Sequence, residues 1–136
     1  MFSNYLGDQV VAATASNIPT QLQKLSPKDS LAKVIPKAIP ALFYVATRNS
    51  KTGTVYLKVV NALKTAQQVS IDLKGISSVS SKGILVEMKA DKPEDTNTIM
   101  EPQNIVPITS EVKGLARSFT RTFPAFSISV LQIETK

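Results

Sequence analysis

Cysteine, histidine and tryptophan are all missing from this sequence. Without cysteine there is no disulfide framework and no thiolate to act as nucleophile or metal ligand. The absence of histidine removes Ser-His-Asp and Cys-His catalysis, imidazole proton transfer near neutral pH and nearly every zinc site. Without tryptophan the usual flat platform for a sugar ring is gone, which leaves Tyr5, Tyr44 and Tyr56 as the tyrosines that could replace it. No apolar run approaches the roughly 18 residues of a membrane-spanning helix, so no membrane partner is expected. The opening MFSNYLGDQVV has no basic region followed by an apolar core, so it does not read as a signal peptide.

What remains is a chain of 136 residues, about the size of one ordinary domain. Its net charge of +6 permits weak attraction to polyanions. The excess is dispersed, however. Lys113, Arg117 and Arg121 lie close to Phe119, yet no nucleic-acid motif surrounds them, and a solvated sheet face with the Arg121 stem laid along apolar neighbours explains them. Nucleic acid is therefore not expected as a partner.

The chain is organised around Leu42 to Asn61, LFYVATRNSKTGTVYLKVVN. Leu42 to Arg48 and Thr54 to Asn61 are rich in Val, Tyr, Phe and Thr, and Asn49 to Gly53 between them holds turn formers, which predicts a β-hairpin. Val55, Leu57 and Val59 alternate with Tyr56 and Lys58, so one face should meet a core and the other should look partly at water. Tyr44 and Tyr56 could face each other across such a hairpin.

Around it, Met1 to Gly7 has the spacing of a short helix stopped by glycine, and Gln9 to Ala15 reads as a strand. Pro19, Pro27, Pro36 and Pro40 make Ser16 to Ala41 a connector, with room for a short amphipathic turn over Ser30 to Ile35. Gln67 to Lys74 and Ile84 to Ala90 alternate as strands, with Leu85, Glu87 and Lys89 opposite Ile84, Val86 and Met88. Between them, Gly75 to Gly83 reads as a loop with room for a short edge strand. Asp91 to Asn104 is a polar, acidic loop bracketed by Pro93 and Pro102, followed by an irregular strand from Ile105 to Val112. Arg117 to Phe123 and Phe126 to Glu134 form a closing pair around Pro124-Ala125, with Phe119, Arg121 and Phe123 on one face. Ile128 and Val130 share one face and Leu131 and Ile133 the other, which implies a bulge or burial on both sides. The expected fold is all-β: an antiparallel, jelly-roll-like β-sandwich of about seven to nine strands.

YVATRNSKTGTVYLKVVN, with MFSNYLGDQVV before it and FTRTFPAFSISVLQI after it, resembles the C-terminal region of family 51 α-L-arabinofuranosidases, the eukaryotic-like branch especially. Thr96-Asn97, Glu101-Pro102 and Ile105-Val106-Pro107 fit the pattern of that family in the acidic loop. Pro124-Ala125-Phe126, where the family often has two prolines and a tyrosine, and Arg121, where it often has an aromatic residue, depart from it. The resemblance implies that residues 1–9 are the remnant of the last helix of a missing (β/α)8 barrel and that Met1 is an internal residue. Residues 10–136 are then a C-terminal sandwich with a Pro-rich connector at 16–41.

By the same resemblance this is a non-catalytic domain that packs on and stabilises the catalytic barrel, touching it through Phe2, Leu6 and Val10. Its parent removes terminal α-L-arabinofuranosides from arabinan and arabinoxylan with retention and is secreted or periplasmic. A carbohydrate-binding module acting on plant polysaccharide is the alternative reading. Retaining hydrolysis needs two carboxyl groups about 5 to 5.5 Å apart. Asp72 and Glu87 fall on polar strand faces and Asp91, Glu94, Asp95 and Glu101 share one loop, so solvated surface carboxylates are the simpler reading. The family's two glutamates belong to the barrel, and no catalytic residue is assigned here. Asp91, Asp95, Glu101 and the Asn97 carbonyl do not follow the EF-hand order of calcium ligands, and neither a metal nor a cofactor is expected.

Overall fold

The computed structural model describes the backbone of residues 1–136 and every side chain except those of Asp29 and Ser30. Its frame is a six-stranded antiparallel sheet in the order β1(Gln9–Val11), β4(Leu42–Arg48), β5(Val55–Asn61), β10(Ser127–Thr135), β7(Val79–Lys89), β8(Ile108–Lys113). A second layer, β6(Gln67–Asp72) paired with β9(Ser118–Phe123), covers one face. A separate two-stranded arm, β2(Thr20–Leu22) with β3(Ala38–Pro40), carries the helix α1(Pro27–Leu31) between its strands. The antiparallel β-sandwich expected from the alternation is thus present.

The β4–β5 hairpin forms in the expected register, Leu42 opposite Asn61 and Arg48 opposite Val55. Its turn depends on Gly53, whose φ of 75° lies in the left-handed region. An added Cβ there would also run into the Thr135 carbonyl of the last strand. Between the layers, Val55, Leu85, Val112, Leu115, Leu131 and Ile133 form one apolar cluster. Leu42, Val59 and Phe123 form a second, joined by Val69 and Ile71 of β6.

Several expectations are corrected. β9 and β10 do not close on each other: β9 pairs with β6 and β10 lies between β5 and β7. Pro124 has no amide to donate and Phe126 takes a φ of 46°, so the chain turns a corner from one layer to the other. The Phe126 amide donates instead to Leu63 O at 3.0 Å. Residues 79–83, read as loop or edge, begin the long strand β7, paired on both sides by β10 and β8. Tyr44 stands opposite Val59 and Tyr56 opposite Thr47, which puts the two tyrosines on opposite faces. The amino-terminal segment makes only a 3₁₀ turn, Phe2–Asn4. The first strand is three residues long.

Candidate functional site

The face of the six-stranded sheet turned away from β6 and β9 is the surface that the rest of the chain leaves to be explained. Cross-strand partners in an antiparallel sheet share a face. Register therefore places Phe43, Val60, Ile128 and Met88 in one row and Lys58, Val130 and Val86 in the next. Both faces are apolar at the centre: Val130 points to this outer face and Leu131 to the interlayer core, and each is fully buried. On β7 the row Leu85, Glu87, Lys89 turns toward the second layer and Ile84, Val86, Met88 turns outward. Away from its centre the outer face opens, with Phe43 at 50%, Val45 at 43% and Ile84 at 40% exposure.

The amino-terminal segment crosses part of this face. Lys58, expected to look at water, is buried because the segment lies on it: Nζ donates to Phe2 O at 3.2 Å and sits 5.6 Å from the Phe2 ring centroid. Tyr5 packs on Tyr56 with ring centroids 6.2 Å apart. Gly7 passes so close to the Arg48 backbone that a side chain would not fit, and its amide donates to Thr47 Oγ1. Of the three residues expected to touch a neighbouring domain, Phe2 is half-buried against Lys58, while Leu6 and Val10 project into solvent. The alternation rule missed Phe43, Val45 and Ile84, although Ile84-Val86-Met88 running outward opposite a core-facing Leu85 carried the clue.

Five carboxylates have structural work. Asp8 accepts the hydroxyl and amide of Ser50, which lower its pKa from 3.8, the hydroxyl contributing most. Asp72 accepts from Ser118 Oγ at 2.8 Å, and Glu111 pairs with Lys82 and Lys113 on the surface. Glu87 is half-buried and accepts from Ser129 Oγ at 3.3 Å. It borders an open hollow of about 380 Å³ beside Lys89, Asp91, Asp95 and Asn104. Asp95 is committed to its loop, Oδ2 accepting the amides of Asp91 and Lys92 at 3.0 and 2.9 Å. Glu87 and Asp95 are thus both engaged by hydrogen bonds within the domain. Among the described residues no group of three or more acidic side chains is placed to hold a metal ion.

The acidic loop holds itself in shape. Asn97 accepts the Ile105 amide at 2.6 Å and donates to the Ile105 carbonyl at 2.8 Å, in place of a strand partner. The Glu101 amide donates to Thr98 Oγ1 at 3.0 Å, which closes the tip.

A family model described as the α-L-arabinofuranosidase C-terminal domain matches residues 1–127. The chain is 34% identical over 92 residues, 68% of its length, to an extracellular exo-α-L-arabinofuranosidase of Streptomyces chartreusis, of which it spans 11%. Among solved structures, an arabinose-bound family 51 α-L-arabinofuranosidase is 39% identical, with a TM-score of 0.65 over 71% of this chain and 15% of that one. The thermostable family 51 enzyme of Thermotoga petrophila, at 20% identity, shares the fold over 97% of this chain and 27% of its own, with a TM-score of 0.75.

Proposed function

Because the chain belongs to the family of α-L-arabinofuranosidase C-terminal domains, we propose that it is the accessory domain of such a hydrolase, seated on a catalytic (β/α)8 barrel that precedes it. The domain itself is not the catalytic one. Its parent removes terminal α-L-arabinofuranosyl groups from arabinan and arabinoxylan and is secreted, as the name of the Streptomyces relative, an extracellular exo-α-L-arabinofuranosidase, supports.

The observation that carries this reading is the outer sheet face. A monomer gains nothing by holding Phe43, Val45, Ile84, Leu6 and Val10 in water, whereas a neighbouring domain that covers them stabilises both partners. Covering side chains that are only partly or little buried contributes about 0.5–2 kcal/mol each, so a handful of them offsets the cost of ordering an interdomain contact. Leu6 and Val10 are the contacts on the amino-terminal side, and Phe2, clamped by Lys58, fixes the angle at which the segment reaches the sheet.

The test is twofold. The purified chain releases no arabinose from an aryl arabinofuranoside, and deleting residues 8–136 from the parent lowers its melting temperature or its soluble yield. Arabinose release by the chain, or a parent equally stable without it, overturns the reading. Retention of the chain on insoluble arabinan would instead favour the sugar-binding alternative.

A further inference from the structure

Two long segments leave the same end of the six-stranded sheet. Leu42, Asn61, Ser127 and Lys89 stand in one row across β4, β5, β10 and β7. The arm closes onto one side of this row, Ala41 N donating to Pro19 O and Ala62 N to Ala41 O, both at 2.9 Å. The acidic loop departs from the other side, where Ala90 N donates to Phe126 O at 3.1 Å. Three strand spacings separate the two bases, about 14 Å. The amino-terminal segment runs toward the same end: read backwards, it passes from Arg48 at Gly7 to Tyr56 at Tyr5 and to Lys58 at Phe2.

Both segments hold apolar side chains in solvent, and their charges are opposite. On the arm, Leu31 and Ile35 are 85% and 81% exposed among the exposed cations Lys24, Lys28, Lys33 and Lys37. At the loop tip, Ile99 and Met100 are 99% and 90% exposed, with Asp91, Glu94 and Glu101 in the same loop. The tip is not a collapsed tangle, because the Asn97–Ile105 and Thr98–Glu101 hydrogen bonds set its shape without drawing Ile99 or Met100 onto the sheet. An ordered scaffold that presents apolar side chains to water is the mark of a contact surface.

We infer that the arm and the loop are two prongs of one clasp, and that its occupant is the catalytic domain of the same polypeptide. This rests on the accessory-domain reading above. The amino-terminal segment directs any preceding polypeptide to the end of the sheet from which both prongs project, beside the open Phe43 row of the outer face. The partner surface carries an acidic flank under the arm and a basic-rimmed apolar pocket under the loop tip, about 14 Å apart at their bases. A second copy of the chain, whose own arm and loop complement each other in charge, is the competing occupant.

Hydroxyl-radical footprinting of this chain alone and of the intact parent separates the cases. Inside the parent, oxidation of Met100, Leu31 and Ile35 slows by about fivefold or more, because side chains at the centre of an interface lose most of their access to solvent. Parents carrying Ile99→Asp, which keeps Met100 as the reporter, or Lys24→Glu with Lys28→Glu and Lys37→Glu, lose that protection at the altered prong and melt at a lower temperature, while the same changes leave the melting temperature of the isolated chain in place. If Phe43 is protected in the parent but both prongs stay fully reactive, the clasp is wrong and the accessory-domain reading stands. If nothing is protected, both fall. Protection of the prongs in the isolated chain that grows with its concentration assigns the clasp to a second copy and overturns the inference.

Discussion

Asn61 ties the two layers together through one side chain. It is buried at 1% exposure, and its Nδ2 donates to the carbonyls of Thr65, Phe123 and Pro124 at 3.0, 3.2 and 2.8 Å. Its Oδ1 accepts the Leu63 amide at 3.1 Å. Asn61→Ala therefore strands buried backbone groups of both layers, and denaturant melts should show a loss of about 2–4 kcal/mol. Arg121 is the opposite case, since its Nε is buried without a hydrogen-bond partner on the apolar face it shares with Phe119 and Phe123. Arg121→Met removes that group and keeps the stem, so thermal unfolding should move upward, by about 1 kcal/mol in stability. At the surface, Asp8 ties the amino-terminal segment to the hairpin turn through Ser50, and those bonds hold its folded pKa below 3.8. A carboxyl depressed in the folded state stabilises above its unfolded value and loses that contribution as pH falls through the folded one. The melting-temperature gap between the wild type and Asp8→Asn should thus be full at neutral pH and shrink below pH 3.8.

At the scale of elements, alternation along one strand was readable and its pairing was not. Val69, Ile71 and Phe119 face the core as their period-two spacing requires, and the hairpin at Asn49 to Gly53 was legible from its turn residues alone. The destination of β10 was hidden because Ile128 to Ile133 is apolar on both faces, a pattern equally compatible with an irregular edge and with a central strand. The position of Lys58 was hidden for another reason: only the tertiary path of residues 2–7 covers it, and no local pattern encodes that path. The clamp can be measured by a double-mutant cycle with Phe2→Ala and Lys58→Met. A coupling of about 0.5–2 kcal/mol is expected for the desolvated cation on the ring, and a value indistinguishable from zero would show that the segment is held by Tyr5 and Gly7 alone.

For the whole molecule, the sandwich is lopsided: a six-stranded sheet is faced by two strands on one side and by a few amino-terminal residues on the other. The family resemblance carried the accessory, non-catalytic role, and the sequence carried the fold class, because that follows from strand periodicity. It did not reveal which face stays open, since Phe43 and Val45 look like ordinary core residues until the register is known. Phe43→Ser with Val45→Thr should leave the melting temperature of the isolated chain within about 1–2 °C, in keeping with modest changes at exposed positions. The same pair should reduce binding of a hydrophobic dye and raise solubility, and a large drop in stability would show that the face belongs to the core of the chain itself.

The place of β10 has a further consequence. It is the last strand in sequence and sits in the middle of the large sheet, with β5 and β7 bonded to its two edges. While the chain is being translated, those two strands emerge long before the one that joins them, so the sheet cannot close until Thr135 has cleared the ribosome. Until β10 is in place, β5 and β7 each keep an unpaired edge, so partly folded forms of the domain are prone to edge-to-edge association whatever its final stability.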